Sequence, residues 1–183
     1  YERCCIVEAS VEIPGFKDLA IVNIHASAFA TDDTKHQHRI EFKNELDRLS
    51  GMGKVFAAGG DLNTLPPGSS KTDYCIEDMC LGESFHQSGD DPMHKDGSNY
   101  TPEQEWLVPF YNSYKSVIPL TQYLPDQEKY FTHTTRPGYF WDRTLDYLFT
   151  NNRWRNESSF VRQDFLMDSD HAPVVGELIL LKN

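Results

Sequence analysis

Hydrophobic and polar positions alternate from the start of the chain. Cys5, Val7, Ala9, Val11 and Ile13 stand against Cys4, Glu8, Ser10 and Glu12, with Ile6 the exception. A period of two over nine residues predicts a strand with one wet face. Pro14-Gly15 and Lys17-Asp18 supply a turn, and Leu19 to His25 is a nearly unbroken apolar run, the pattern of a strand buried on both faces. Thr31, Asp32 and Asp33 offer N-caps for a helix reaching to about Ser50. Along it Phe42, Leu46 and Leu49 recur at helical spacing, while Lys43, Asn44, Asp47 and Arg48 face away. Gly51 and Gly53 stop it, and Lys54 to Ala58 resumes as a buried strand running into Gly59-Gly60-Asp61-Leu62-Asn63. Strand, helix, strand predicts an α/β fold.

Beyond that point the pattern fades. Residues 64–70 and 88–102 are rich in Gly, Pro, Ser, Asp and Asn and read as loops, and the remainder of 64–135 has no clear period. Strands return at Thr144 to Phe149, at Ser159 to Gln163 and at about Val174 to Leu181. No internal repeat or linker divides the chain, so one domain is expected.

Composition narrows the partners. The 183 residues are 39% hydrophobic and contain no run of about 18 apolar residues, so neither disorder nor stable membrane insertion by a helix is expected. Seventeen Lys and Arg against 28 Asp and Glu give a net charge of −11, which disfavours a polyanion-coating surface. Cys75 and Cys80 could close a short disulfide, and no Cys-x-x-Cys pair suggests a structural zinc site. Two glycosylation sequons, at Asn99 and Asn156, are compatible with secretion, but any targeting segment would precede Tyr1, so the compartment stays open. No protein partner follows from the sequence.

Four polar clusters sit in or at the edge of apolar strands: Asn23 with His25, Asp61 with Asn63, Asp146, and Asp170 with His171. Each alone has an ordinary explanation, as a surface histidine, a turn or a cap. Together, strand ends in an α/β sandwich bring distant residues to one rim, and polar groups there are costly unless paired.

In order and chemistry these clusters match a known pattern. Val22-Asn23-Ile24-His25, Gly59-Gly60-Asp61-Leu62-Asn63, Leu145-Asp146-Tyr147-Leu148-Phe149 and Ser169-Asp170-His171-Ala172-Pro173-Val174 resemble the endonuclease/exonuclease/phosphatase family. The resemblance implies a four-layered α/β/β/α sandwich of the deoxyribonuclease I type and metal-assisted phosphoester hydrolysis with Mg²⁺ or Mn²⁺. It makes His171 the general base that activates water, and Asp146 the carboxylate that orients its ring. Asp61 and Asn63 would position water and phosphate and contribute to the metal site, Asp170 would ligate the metal, and His25 would donate to the phosphoryl group or the leaving oxygen. The family's metal-ligating Glu has no counterpart in the expected order, because Gln104-Glu105 follows Asn63. The chain is therefore expected to be an amino-terminally incomplete domain over 1–183, with a rim insertion at about 64–143 and weak turnover by itself.

Substrate choice in the family lies with rim loops. Arg136 and Arg143 are candidates for phosphate binding, and Trp141 or Tyr139 for stacking on a base or sugar. The alternative is that Trp141 packs the rim and Arg143 pairs with a neighbouring acid. His36 and His38 read as solvated on a polar helix face. A small phosphoester suits the acidic balance better than a DNA duplex. The alternatives are a deoxyribonuclease I-like endonuclease and a noncatalytic binding domain that keeps the fold.

Overall fold

The computed structural model describes residues 5–28, 33–72, 74, 101–165 and 168–182. The proposed Cys75–Cys80 bridge, the Asn99 sequon, the cap candidates Thr31 and Asp32, and most of the 88–102 loop lie outside them. A five-stranded sheet forms the centre, built from β1 (Cys5–Val11), β2 (Leu19–His25), β3 (Val55–Asp61), β4 (Lys115–Ser116) and β5 (Asp146–Thr150) in the order β1-β2-β3-β5-β4. β1 pairs with β2 as an antiparallel hairpin. β2 runs parallel to β3, joined through helix α1 (Thr34–Gly51), and β3 is antiparallel to β5. Two further helices, α2 (Val108–Ser113) and α3 (Leu120–Tyr123), precede β5. A second sheet pairs β6 (Phe160–Val161) with β7 (Val174–Val175).

One face of the central sheet is dry. Ala20, Val22, Ile24, Phe56 and Ala58 pack there against Phe42, Leu46 and Leu49 of α1 and Phe110 of α2, all buried. On the other face Leu148 of β5 packs with Val161 and Val174 of the second sheet, beside Val117, Ile118, Tyr123 and Tyr130. The described residues thus build a helical layer, a sheet and a short second sheet, three of the layers expected of the sandwich.

Several expectations are corrected. β2 is not buried on both faces: Ala20, Val22 and Ile24 are buried, whereas Ile21, Asn23 and His25 are exposed. β1 presents the opposite face from the one its pattern suggested, with Val7 55% exposed. The register explains this, since Val7 lies opposite Asn23 and Ala9 opposite Ile21, on the side away from α1. Ile6, the exception to the alternation, is the residue that packs on the core, and Glu8 on the same side pairs with Arg48 and Lys54. The final strand shrinks to β7, and the described residues after it form no further strand but make the isolated bridges Trp154–Leu178 and Phe16–Lys182. The stretch read as a rim insertion also feeds the body of the fold: Phe110 and Tyr114 join the main core, and β4 is an edge strand of the central sheet.

β3 runs three residues further than its apolar run, through Gly59 and Gly60 to Asp61. The glycines permit it. A Cβ on Gly60, whose φ is +136°, would lie 2.0 Å from the Ile24 carbonyl oxygen. This close approach keeps Asp61 inside the sheet instead of in a turn.

Candidate active site

Three strand ends meet in one row. Parallel pairing sets His25 opposite Asp61, and antiparallel pairing sets Asp61 opposite Asp146. Residues in register share a face, so all three side chains rise on the side away from α1. His171, just before β7, closes over the row. Its Nδ1 is 2.9 Å from Asp146 Oδ2 and its Nε2 is 3.9 Å from Asp61 Oδ2. His25 Nε2 is 3.4 Å from the same Asp61 oxygen.

The turn after β3 fixes Asp61. Asn63 adopts a left-handed conformation, φ +48°, which Asn tolerates better than most residues. Its backbone N–H donates to Asp61 Oδ1 at 2.7 Å, and its side-chain amide donates to Asp61 Oδ2 at 2.8 Å and to the Ala26 carbonyl at 2.9 Å. Beneath this turn, buried Arg39 donates to the Leu62 carbonyl and, at 2.8 Å, to Thr64 Oγ1. Arg39 adjoins Lys35, whose buried ion pair with Glu103 ties α1 to the 3₁₀ turn Thr101–Leu107. Arg39→Met is expected to cost about 3 kcal/mol, because it strands buried acceptors that the arginine now satisfies. Urea titration of both proteins checks this, and a loss below about 1 kcal/mol would count against it.

Electrostatics follow from the crowding of carboxylates. Burial pushes the Asp61 carboxyl above its usual range, and the nearby Asp146 charge adds to the rise. The hydrogen bond that the His171 Nδ1–H donates to Asp146 raises His171 to about 9, with the Asp61 and Asp170 charges contributing. Without a bound cation, His171 is therefore an imidazolium at neutral pH. Its folded pKa is raised, so the pairing stabilises the fold fully below about pH 6.5, and that stabilisation is lost as pH rises through about 9. An NMR titration in EDTA should find the His171 ring changing near 9 in the wild type and at least a unit lower in Asp146→Asn. Equal midpoints would show that Asp146 does not hold the ring.

A short extended segment, Thr132 to Thr134, braces the site. Buried Thr132 accepts hydrogen bonds through Oγ1 from the N–H groups of Leu145 (2.9 Å) and Asp146 (3.0 Å), which pins the start of β5. The next residue, His133, bridges to Arg143 on one side and His171 on the other. Its ring meets that of His171 edge to face, 4.8 Å between centroids. Its Nδ1 is buried, without a full hydrogen bond, 3.5 Å from Asp142 Oδ1. Burial alone would raise Asp142, but His133, Arg143 and Thr135 outweigh it and hold the carboxyl at about 2.

The proposed substrate contacts divide. Arg143 is buried, donates to Asp142 at 2.7 Å and lies over the Tyr74 ring, so the expectation that it grips a phosphate at the rim is corrected. Trp141 is half-buried and donates to the Gln163 carbonyl at 2.9 Å, which packs it into the rim. Arg136 is exposed, and Tyr139 is 81% exposed beside it on the turn. His38 is not solvated: it is buried and accepts from the Ser27 N–H at 3.1 Å, while His36 stacks on Trp106. Asp170 is exposed, with its carbonyl receiving the Thr134 N–H at 2.9 Å. An open groove of about 410 Å³ runs beside His171, lined in part by Asn23, Gly59, Gly60, Asp146 and Leu148.

No protein-family model matches the sequence, and no curated protein matches it either. Solved structures do match by fold. An endonuclease/exonuclease/phosphatase protein from Beutenbergia cavernae superposes with a TM-score of 0.56 at 19% identity, covering 98% of this chain and 40% of its own. The APE2 catalytic domain of Xenopus laevis gives 0.58 at 15% identity, over 98% of this chain and 56% of its own. An AP endonuclease from Archaeoglobus fulgidus gives 0.52 at 13%, over 92% and 63%. The chain thus has the deoxyribonuclease I-like fold of the endonuclease/exonuclease/phosphatase proteins, and it spans 40% to 63% of the length of these three.

Among the described residues, no group of carboxylate oxygens gathers into a magnesium site. Magnesium requires a near-octahedral set of oxygens. Both Asp61 oxygens accept from Asn63, which turns its nitrogen toward them. Among the described residues, the group of three His, Cys, Asp or Glu ligand atoms close enough to share an ion is His133, Asp170 and His171, within 4.8 Å of one another. Sequence reasoning did not include His133 in the site. Its only signal was position, a lone histidine between two threonines shortly before β5, and its facing of His171 depends on a strand register that no local pattern reveals.

Proposed function

We propose that this site hydrolyses a phosphoester by in-line attack of a water activated by His171. The observation that carries this reading is the contact chain from Asp146 through His171 to Asp61, with His25 on the far side of the same carboxylate. Asp146 holds the His171 ring through Nδ1, leaving Nε2 to take a proton from water. Asp61, held by Asn63, positions that water and the phosphate. His25, 80% exposed at its side chain, donates to a phosphoryl oxygen or to the leaving oxygen. The exposed Arg136 is the remaining candidate for gripping the substrate's phosphate. As a base His171 must first lose its proton, so turnover should rise with pH toward about 9. The resemblance ties this chemistry to Mg²⁺ or Mn²⁺, which would neutralise phosphate charge, and hydrolysis is expected to depend on it. Among the described residues, Asp61 and Asp170 do not fall into one ligand group for such an ion.

A small phosphodiester or phosphomonoester is the favoured substrate class, because a net charge of −11 opposes a long duplex. The printed names of two fold neighbours, an AP endonuclease and the APE2 catalytic domain, support a nuclease reading as the second. The test is hydrolysis of bis-p-nitrophenyl phosphate beside plasmid nicking across a salt series, with Mg²⁺, Mn²⁺ or EDTA. Turnover of the small ester without nicking at low salt supports the first reading, and nicking supports the second. Neither activity from the full-length protein would leave the noncatalytic domain.

A further inference from the structure

The group formed by His133, Asp170 and His171 has a chemistry different from the hard-cation site the resemblance calls for. Two imidazoles and one carboxylate suit zinc or cobalt, which accept nitrogen in a tetrahedral set, and suit magnesium poorly. Backbone pairing brings the imidazoles together. The Thr134 N–H donates to the Asp170 carbonyl at 2.9 Å and the Ala172 N–H to the Thr132 carbonyl at 2.7 Å, so His133 and His171 face each other between those bonds. In an antiparallel pair this is the non-hydrogen-bonded position, where side chains stand closest. Asp170 precedes His171 in the same segment.

Both rings are also oriented for a metal. His171 presents Nδ1 to Asp146 at 2.9 Å, and His133 presents its buried Nδ1 to Asp142 at 3.5 Å. Each imidazole thus has a carboxylate near Nδ1, as in the carboxylate–histidine–metal arrangement, in which the other ring nitrogen is the ligand. Asp142 is itself fixed by Arg143 at 2.7 Å and by the Thr135 N–H at 2.8 Å. The ligand atoms lie within 4.8 Å of one another. An inward shift of about 0.7 Å by each would bring them to zinc-bonding distance, about 2.0–2.2 Å.

We propose that His133, Asp170 and His171 form a binding site for a zinc-class divalent cation, with the fourth position open to water. If His171 is the general base, a consequence that rests on the proposed hydrolytic role, an occupied site lacks its base and zinc inhibits. The binding itself does not depend on that role.

The test is titration of the apo full-length protein with Co²⁺, followed by the visible d–d absorption of the bound ion. The wild type should take up one Co²⁺ with tetrahedral-type bands. His133→Asn and Asp170→Asn should each weaken that binding at least tenfold, whereas His36→Asn should leave it unchanged. Asp170 is exposed, so its variant remains informative if His133→Asn does not fold, as checked by circular dichroism. Unchanged affinity in Asp170→Asn or in folded His133→Asn, a thiolate charge-transfer band in place of the nitrogen-type spectrum, or no uptake would overturn the site. Co²⁺ binding that depends on His133, in a protein that hydrolyses no phosphoester, would uphold the site and remove the hydrolytic reading. Hydrolysis lost in His171→Ala, with Co²⁺ binding indifferent to His133 and Asp170, would do the reverse.

Discussion

Gly59→Ala is expected to destabilise the protein by more than about 4 kcal/mol. A Cβ at this position would sit 1.8 Å from the Tyr147 carbonyl oxygen and 2.8 Å from its carbon. Both atoms are backbone of β5, so no side-chain rotation relieves the overlap, and β3 and β5 must part. The same pairing sets Asp61 opposite Asp146, so any variant that does fold should have a displaced site. At about 2–4 °C per kcal/mol for a chain of this size, the melting temperature should fall by roughly 10 °C or more. Gly51→Ala is the control. Nothing lies within 4 Å of a Cβ there, and alanine should be neutral or slightly stabilising at the helix end. A Gly59→Ala protein melting within a degree or two of wild type would mean that the close approach of the two strands is not required.

His171→Ala should lower phosphoester turnover by about 10²–10⁴-fold, the range for loss of a general base. The fold should tolerate it, because the His171 side chain is 32% exposed and belongs to no apolar cluster. Loss of the base should appear in kcat more than in KM, since the ring is placed to act on water and the substrate's grip lies elsewhere. The variant should also lose the rise in activity toward pH 9. A variant that retains that rise would assign it to another group.

The polar row was legible in the sequence because its members interrupt apolar strands. His25 ends one such run, Asp61 follows the next, and Asp146 lies within a third, so strand ends and topology suffice to bring them together. Helix α1 was legible for a similar reason, its buried Phe42, Leu46 and Leu49 recurring at the period of one face. What failed depended on tertiary pairing. The alternation of β1 gives its two faces but not which one α1 covers, and the register put Val7 and Ala9 on the side away from it. For Arg143 the sequence leaves both a rim cation and a partner of a neighbouring acid open, and the surrounding Asp142 and Tyr74 decide for the second. His38 and Arg39 sit on a stretch whose residues are mostly polar, yet the loops at Ser27 and Leu62 fold over them, so His38, which reads as solvated, is buried against Ser27, and Arg39 beside it supports the turn that holds Asp61.

The claim that Asp146 and His171 act as one hydrolytic unit is tested most directly by a double-mutant cycle on kcat/KM for bis-p-nitrophenyl phosphate. If Asp146 works only through His171, Asp146→Asn in the His171→Ala background should cost almost nothing, although Asp146→Asn alone is costly. Losses that multiply, or a His171→Ala protein as active as wild type, would contradict the assignment.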